Sequence, residues 1–215
     1  MFFRIAGDML HVASLLILAF RIRNSKNCVG ISCKTQELYM IVFATRYLDL
    51  FLYFVSLYNT FMKVAYLIIT GYLIYLMRFA KLYRQTYDVK GDSFQYWKWL
   101  LGPCFVLSMI FNVEFTFVEI MWSFSIFLEA VAFVPQLEMM RKMGRVENLT
   151  SHYVFTLGGY RLLYIFSWVA KIMDNEPISW ISLSGGVVQT ILYADFFYYY
   201  ILAKLKGDKS VALPI

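Results

Sequence analysis

Apolar residues run along the chain in windows of near-membrane length at about 4 to 22, 36 to 57, 61 to 80, 97 to 113, 119 to 140, 153 to 172 and 178 to 203. Their character is helical rather than alternating, and each approaches the ~20 residues that a helix needs to cross a bilayer core. The pattern predicts seven spans. The first window is too interrupted for a signal peptide: Asp8 and His11 lie inside it, no small-residue cleavage site follows, and Arg21 and Arg23 come directly after. It is expected to remain as the first span.

Two stretches are similar at an offset of about 115 residues, Lys34-Thr35-Gln36 through Arg46-Tyr47-Leu48-Asp49-Leu50-Phe51 and Leu149-Thr150-Ser151 through Arg161-Leu162-Leu163-Tyr164-Ile165-Phe166. The two arginines fall in register. Three-span repeats are parallel only if one extra span lies between them, and the window holding Gly102-Pro103 supplies it. The expected architecture is an all-α membrane protein of seven transmembrane helices, two parallel three-helix repeats joined by a linker helix (3+1+3). Repeat one covers about 1–82, the linker about 97–113 and repeat two about 119–203, with a short tail over 204–215.

Composition supports this class. With 60% hydrophobic and 16% charged residues in a chain of 215, there is more apolar surface than a soluble core of this size could hide. The 17 Tyr and 20 Phe suit interfacial belts and packing in lipid. The formal charge of +6 changes meaning once its residues are placed. Arg21, Arg23, Lys26 and Lys34, then Lys81, Arg84, Lys90 and Lys98, then Arg141, Lys142 and Arg145, and finally Lys204, Lys206 and Lys209 lie in connections of one parity. The opposite connections hold Lys63, Glu114, Asp174 and Glu176. By the positive-inside rule the N-terminus is lumenal or extracellular and the tail cytosolic, and the basic balance reports orientation in a bilayer rather than a nucleic-acid partner. The sequon Asn148-Leu149-Thr150 then faces the cytosol and is expected to stay unmodified. Cys28, Cys33 and Cys104, with His11 and His152, offer no metal or redox spacing, and no nucleophile and base stand at a suggestive separation; neither a cofactor nor an enzymatic activity is expected.

The informative residues are the charges inside the windows: Asp8, His11, Arg46, Asp49, Glu129, Arg161 and Asp195. A charge at mid-bilayer costs roughly 2.5–3.5 kcal/mol, so seven facing lipid would cost on the order of 20 kcal/mol, more than a domain's whole stability. They must pair internally or line water. Arg4, Asp8 and His11 share one face of the first helix; Tyr160, Tyr164, Trp168 and Lys171 form a stripe on the sixth, with Arg161 beside it; Glu119, Trp122 and Glu129 share a side of the fifth. Asp8, Glu129 and Arg161 fit an internal polar network, and Asp195 fits either such a network or a loop lysine. Arg4, Arg46 and Lys171 outnumber nearby acids, and excess positive charge in a pocket invites an anion. His11 has a titration range in which protonation would add to that field.

Taken together, Met1 through Arg4 with Gly7-Asp8 and His11, Gly30-Ile31-Ser32 with Lys34 and Gln36, Thr45 through Phe51, Ser56-Leu57-Tyr58-Asn59-Thr60, Pro135-Gln136-Leu137, Gly186 through Thr190, Asp195-Phe196-Phe197-Tyr198 and Leu213-Pro214 resemble the KDEL receptor, or ER lumen protein-retaining receptor, family from end to end. Pro135-Gln136 alone resembles the wider PQ-loop superfamily. The resemblance implies a seven-helix receptor that cycles between Golgi and endoplasmic reticulum and captures escaped lumenal proteins by a C-terminal Lys-Asp-Glu-Leu-like signal. It implies that Arg46 and Tyr47 hold the signal's terminal carboxylate, Arg4 and Lys171 its other anionic groups, and Asp49 and Glu119 its lysine. Trp168 would stack on the peptide and His11 would sense pH. It further implies a role in transport for Asp195, and recruitment of the retrograde coat, coat protein complex I, for Lys204 and Lys206. Lys171 stands where the family pattern has arginine, and lysine lacks the planar fork, so the acidic signal positions are expected to be read less strictly. The rival reading is a PQ-loop transporter of a sugar or other small solute, which parallel repeats fit equally well; a seven-helix signalling receptor fits the even repeat and short loops less well.

Overall fold

The computed structural model describes residues 2–52, 54–208 and 210–213; Met1, Lys209 and Pro214, which entered the sequence reading, lie outside them. The order is α1 (Phe2–Ser25), α2 (Cys33–Arg46), a 3-10 turn (Tyr47–Phe51), α3 (Leu57–Arg78), the one-turn α4 (Lys81–Arg84), and a π-helical turn (Trp97–Leu101) that runs into α5 (Gly102–Ile110). Then come α6 (Phe117–Val131), α7 (Val134–Met143), α8 (Asn148–Met173) and α9 (Trp180–Leu205). Among the described residues three helical segments, Phe2–Ser25, Leu57–Arg78 and Phe117–Met143, are long and apolar enough to cross a membrane, and Trp97–Ile110 is a shorter apolar helix.

Local chemistry sets the starts and breaks. Ser32, Ser56 and Ser179 sit in extended backbone and accept from the amides of Thr35, Asn59 and Ser182 at 3.1, 3.1 and 3.2 Å, each satisfying a donor that the first helical turn leaves open. Pro135 enters at the first turn of α7, where a missing N–H costs nothing, and interrupts the long fifth window. Gly144 ends α7 in the left-handed region at φ 67°.

The second window does not form one α-helix over 36–57. Helix α2 stops at Arg46 and tightens into the 3-10 turn. Thr45 contributes by bonding back to the carbonyls of Ile41 and Val42 at 2.8 and 3.2 Å, a habit that bends helices. Beyond it, Arg46 and Asp49 are drawn to different neighbours, α6 and α3.

Among the described residues the helices close a ring in which α1 packs on α3, α3 on α2, α2 on α6, α6 on α9, α9 on α8, and α8 back on α1, with α5 outside against α6. Buried polar side chains tie the connections to it. Gln136, fully buried, donates to the carbonyl of Gly30 and accepts from the amide of Ser32, both at 2.8 Å. Arg21, counted in the sequence as a loop cation, is 1% exposed and donates to Asn27, Val29 and Glu147, fixing the end of α1 to β1 (Arg145–Glu147). Strand β1 pairs antiparallel with β2 (Ser210–Ala212), Val146 opposite Val211.

Helices α8 and α9 approach closely at Gly158, where an added Cβ would lie 2.5 Å from Phe197 and 2.8 Å from Tyr193. Small residues at such contacts let helix backbones meet. Gly158→Ala is expected to cost about 1–3 kcal/mol through overpacking, read as a lowered unfolding midpoint of the purified protein in detergent. Gly102→Ala, which meets open space, is the control and leaves the midpoint unchanged or higher; equal midpoints for both variants would overturn the packing argument.

Candidate functional site

The ring encloses a cavity of about 1270 Å³, open at the end where α3 and α9 begin and closed below by Glu129, Tyr160 and Arg161. From α1 come Arg4, Asp8 and His11, one face as the spacing predicts. The end of α2 and its 3-10 turn bring Arg46, Tyr47 and Asp49, and α6 brings Glu119, Trp122 and Glu129. Helix α8 contributes Tyr160, Arg161, Tyr164, Trp168 and Lys171. Every ligand contact, the pH-sensing candidate and the internal network nominated from sequence therefore line one cavity. Asp195, Lys204 and Lys206 do not. Asp195 accepts from Arg141 at 2.7 Å, Lys204 donates to Asn148 at 2.5 Å, and Lys206 is exposed at the far end of α9. With 1.5 Å of rise per residue that end stands roughly 35 Å from the cavity mouth.

The floor is an ion triad. Oε2 of Glu129 meets Nη1 of Arg46 at 2.6 Å and Nη2 of Arg161 at 2.7 Å, so the two arginines in register in the sequence converge on one carboxylate. Oε1 accepts from the Tyr160 hydroxyl at 2.6 Å. Two residues to which the sequence assigns no role of their own complete the set: Ser125 accepts from Nε of Arg46 at 3.0 Å, and Gln189, 0% exposed, accepts from Nε of Arg161 at 2.6 Å. Gln189 was legible as an amide alone in the apolar run of α9, within the Gly186–Thr190 motif. Asp8 stays apart from the triad, taking the hydroxyls of Tyr58 at 3.0 Å and of Tyr164.

His11 lies flat on Tyr160, ring centroids 3.9 Å apart and planes 3° from parallel, and its Nε2 is buried with no partner. Nη2 of Arg46 and Oδ1 of Asp49 are likewise buried and unpartnered. Buried polar atoms are nearly always paired, so three in one cavity mark a site arranged for something else. Tyr47 stacks on Phe43 at 5.7 Å beside Arg46. Trp168 packs on α9 at Gly186, where a Cβ would come within 2.6 Å of its ring. At the rim Lys171 pairs with Glu176 at 3.4 Å, both substantially exposed, which leaves its ammonium in water's reach.

A family profile described as ER lumen protein retaining receptor matches residues 27–171. The ER lumen protein-retaining receptor B of Arabidopsis thaliana is 49% identical over 214 residues, 99% of this chain and 98% of its own. The ER lumen protein-retaining receptors of Plasmodium falciparum and Drosophila melanogaster are each 49% identical, covering 97% and 99% of this chain and 96% and 98% of theirs. The chain belongs to the ER lumen protein-retaining receptor family. The match takes in α2, its 3-10 turn and α8 as far as Lys171, so Arg46, Tyr47, Asp49, Glu129 and the α8 stripe fall inside the family profile. Arg4, Asp8 and His11 lie outside the profile but inside the span shared with the receptors of other species.

In this member of the receptor family, removing the shared carboxylate leaves the buried guanidinium of Arg161 and the partly buried one of Arg46 without their common counter-charge. Glu129→Ala is expected to lower stability by about 3–5 kcal/mol, the usual effect of deleting one member of a buried ion pair, measured by thermal unfolding in detergent. Ser125→Ala, which removes one hydrogen bond to a charged group, should cost about 1.5–3 kcal/mol. A Glu129→Ala midpoint equal to that of the unaltered protein would refute the triad's structural role.

Proposed function

We propose that this chain is a sorting receptor that binds the C-terminal Lys-Asp-Glu-Leu-like signal of escaped lumenal proteins in the acidic Golgi and returns them to the endoplasmic reticulum, releasing them near neutral pH. The observation that carries the reading is Arg46: it lines the cavity, is held by Glu129 and Ser125, and keeps one guanidinium nitrogen buried and unpartnered. A carboxylate is the anion suited to that open nitrogen, which can give it a charge-assisted hydrogen bond, and Tyr47 lines the cavity beside it. Arg4 and Lys171 take the acidic side chains of the signal higher in the cavity, Asp49 and Glu119 its lysine, and Trp168, Tyr160 and Tyr164 the peptide's flanks. Family membership supports the retention role.

Several finer points belong to the same proposal. The ring order, α1–α8 on one side answered by α6–α2 on the other with α5 outside, fits two parallel three-helix repeats around a linker. The lumenal mouth then lies where α3 and α9 begin, and Lys204 and Lys206 face the cytosolic coat, coat protein complex I, with Asp195 acting in transport through its contact with Arg141. Lys171 binds the signal's acids as an exposed point charge, without a fork, and so reads them loosely.

The pH response follows from charge. His11 sits against the triad, and its protonation adds a positive charge where the ligand's anions arrive. A ligand that favours the charged imidazole binds more tightly as pH falls through the histidine range and is released as pH rises through it. Binding of signal peptides to the purified protein, measured from about pH 5 to 7.5 around the ordinary histidine value near 6.5, should strengthen toward the acidic end. It should weaken by about tenfold or more in Arg46→Ala, as loss of charge-assisted bonds predicts, and a peptide with an amidated C-terminus should lose a similar amount. Affinity flat with pH would remove the gating role of His11, and equal affinity for free and amidated peptides would remove the carboxylate role of Arg46. Flux of a small solute into proteoliposomes would favour a transporter instead.

A further inference from the structure

Of the two carboxylates assigned to the ligand's lysine, Asp49 is already occupied. Oδ2 of Asp49 lies 2.5 Å from Nζ of Lys63, and the two side chains are only 18% and 12% exposed. Lys63 stands on α3 and faces the cavity, although the sequence placed it in a connection. Its ammonium also lies 5.7 Å from the centroid of the Tyr47 ring, a second favourable position for a cation on the same stem. The other oxygen of Asp49 is buried with no partner. The geometry is that of an internal lysine holding a place meant for an external one, with a single acceptor left open.

We propose that Lys63 is a specificity-determining residue that competes with the ligand's cation for Asp49, setting how strongly the site prefers a lysine over a neutral residue at the first position of the four-residue signal. This rests on the peptide-receptor reading above. An arriving ammonium shares the carboxylate through Oδ1 or displaces Lys63 toward Tyr47, and either course returns less than an unpaired carboxylate would. Sharing places two ammonium groups on one carboxylate, and their mutual repulsion lowers the return. Displacement loses the existing ion pair before the new one forms. Lys63 therefore lowers discrimination at that position while leaving the rest of the peptide's contacts in place.

Two variants move the effect in opposite directions. Lys63→Met frees Asp49. Lys63→Arg keeps the charge but can grip the carboxylate with two parallel bonds, which holds it harder than an ammonium does. Peptides ending Lys-Asp-Glu-Leu and norleucine-Asp-Glu-Leu are titrated into the full-length protein in detergent at mildly acidic pH, and the ratio of the two affinities is the readout. Norleucine keeps the lysine stem without its charge, so packing cancels. The ratio should rise about tenfold in Lys63→Met, within the coupling found for contacting charged groups, and fall below the unaltered value in Lys63→Arg. A ratio unchanged in both variants overturns the proposal, as does an equal loss for both peptides in Lys63→Met, which would make Lys63 a structural cation. If Lys63→Met does not fold, Lys63→Arg decides alone: a ratio equal to or above that of the unaltered protein overturns the competition. Failure of the unaltered protein to bind either peptide would remove the receptor reading and this proposal together, whereas the other negative results remove this proposal only.

Discussion

The carboxylate of Glu129 is the constraint on which the site depends. Two arginines, from α2 and α8, meet one of its oxygens at 2.6 and 2.7 Å, and a tyrosine takes the other. Desolvating three ions costs several kcal/mol each, and the arrangement survives only because nearly every remaining donor finds a partner. Tyr160, Gln189 and Ser125 supply those partners from three helices. The triad thus binds α2, α6, α8 and α9 to one another at the depth where a bundle in lipid has no hydrophobic force to hold it together. One carboxylate cannot neutralise two guanidinium groups, so the same device that closes the bundle leaves residual positive charge at the cavity floor.

The local breaks in the helices follow from this placement. Were α2 to continue through 57 as a straight helix, Arg46 and Asp49 would stay on one stripe of one rod. Instead the chain turns at Arg46, which remains tied to α6, and the 3-10 turn carries Asp49 toward α3. Tyr47 is left between them, stacked on Phe43. The irregular turn sets two of its side chains, Tyr47 and Asp49, into the polar cavity, the kind of place where a membrane tolerates non-α-helical backbone.

How much of this was legible varies with how local the signal is. Apolar windows match helix positions to within about five residues except at the second, where α2 ends at Arg46, and the fifth, which breaks between α6 and α7; the faces of α1, α6 and α8 follow from helical spacing alone. The internal similarity put Arg46 and Arg161 in register, but not that they share a partner, because the partner lies on a third helix. Ser125 and Gln189 carry no assignable role in the sequence for the same reason: a lone hydroxyl or amide in an apolar run gains meaning only from what faces it. Arg21 and Lys63 were assigned to connections because a cation near a window's edge reads as a boundary, whereas in the structure each is held inside by acceptors far away in sequence. Asp195, grouped with the intramembrane acids, turned out to face Arg141 and belongs to a separate surface pair.

The cavity's charge balance shows what recognition must work against. Five cations, Arg4, Arg46, Lys63, Arg161 and Lys171, line it against four carboxylates, Asp8, Asp49, Glu119 and Glu129. Most are engaged within the protein: Arg46 and Arg161 with Glu129, Lys63 with Asp49, Lys171 with Glu176, Asp8 with two tyrosines. A charged peptide entering such a site exchanges partners rather than filling vacancies, so its affinity is the difference between the pairs it makes and those it loosens. Large individual ion pairs then yield moderate net binding, which suits a receptor that must let go. Selectivity falls to the groups that are easiest to exchange, at the rim and on the 3-10 turn, while the triad beneath them holds still.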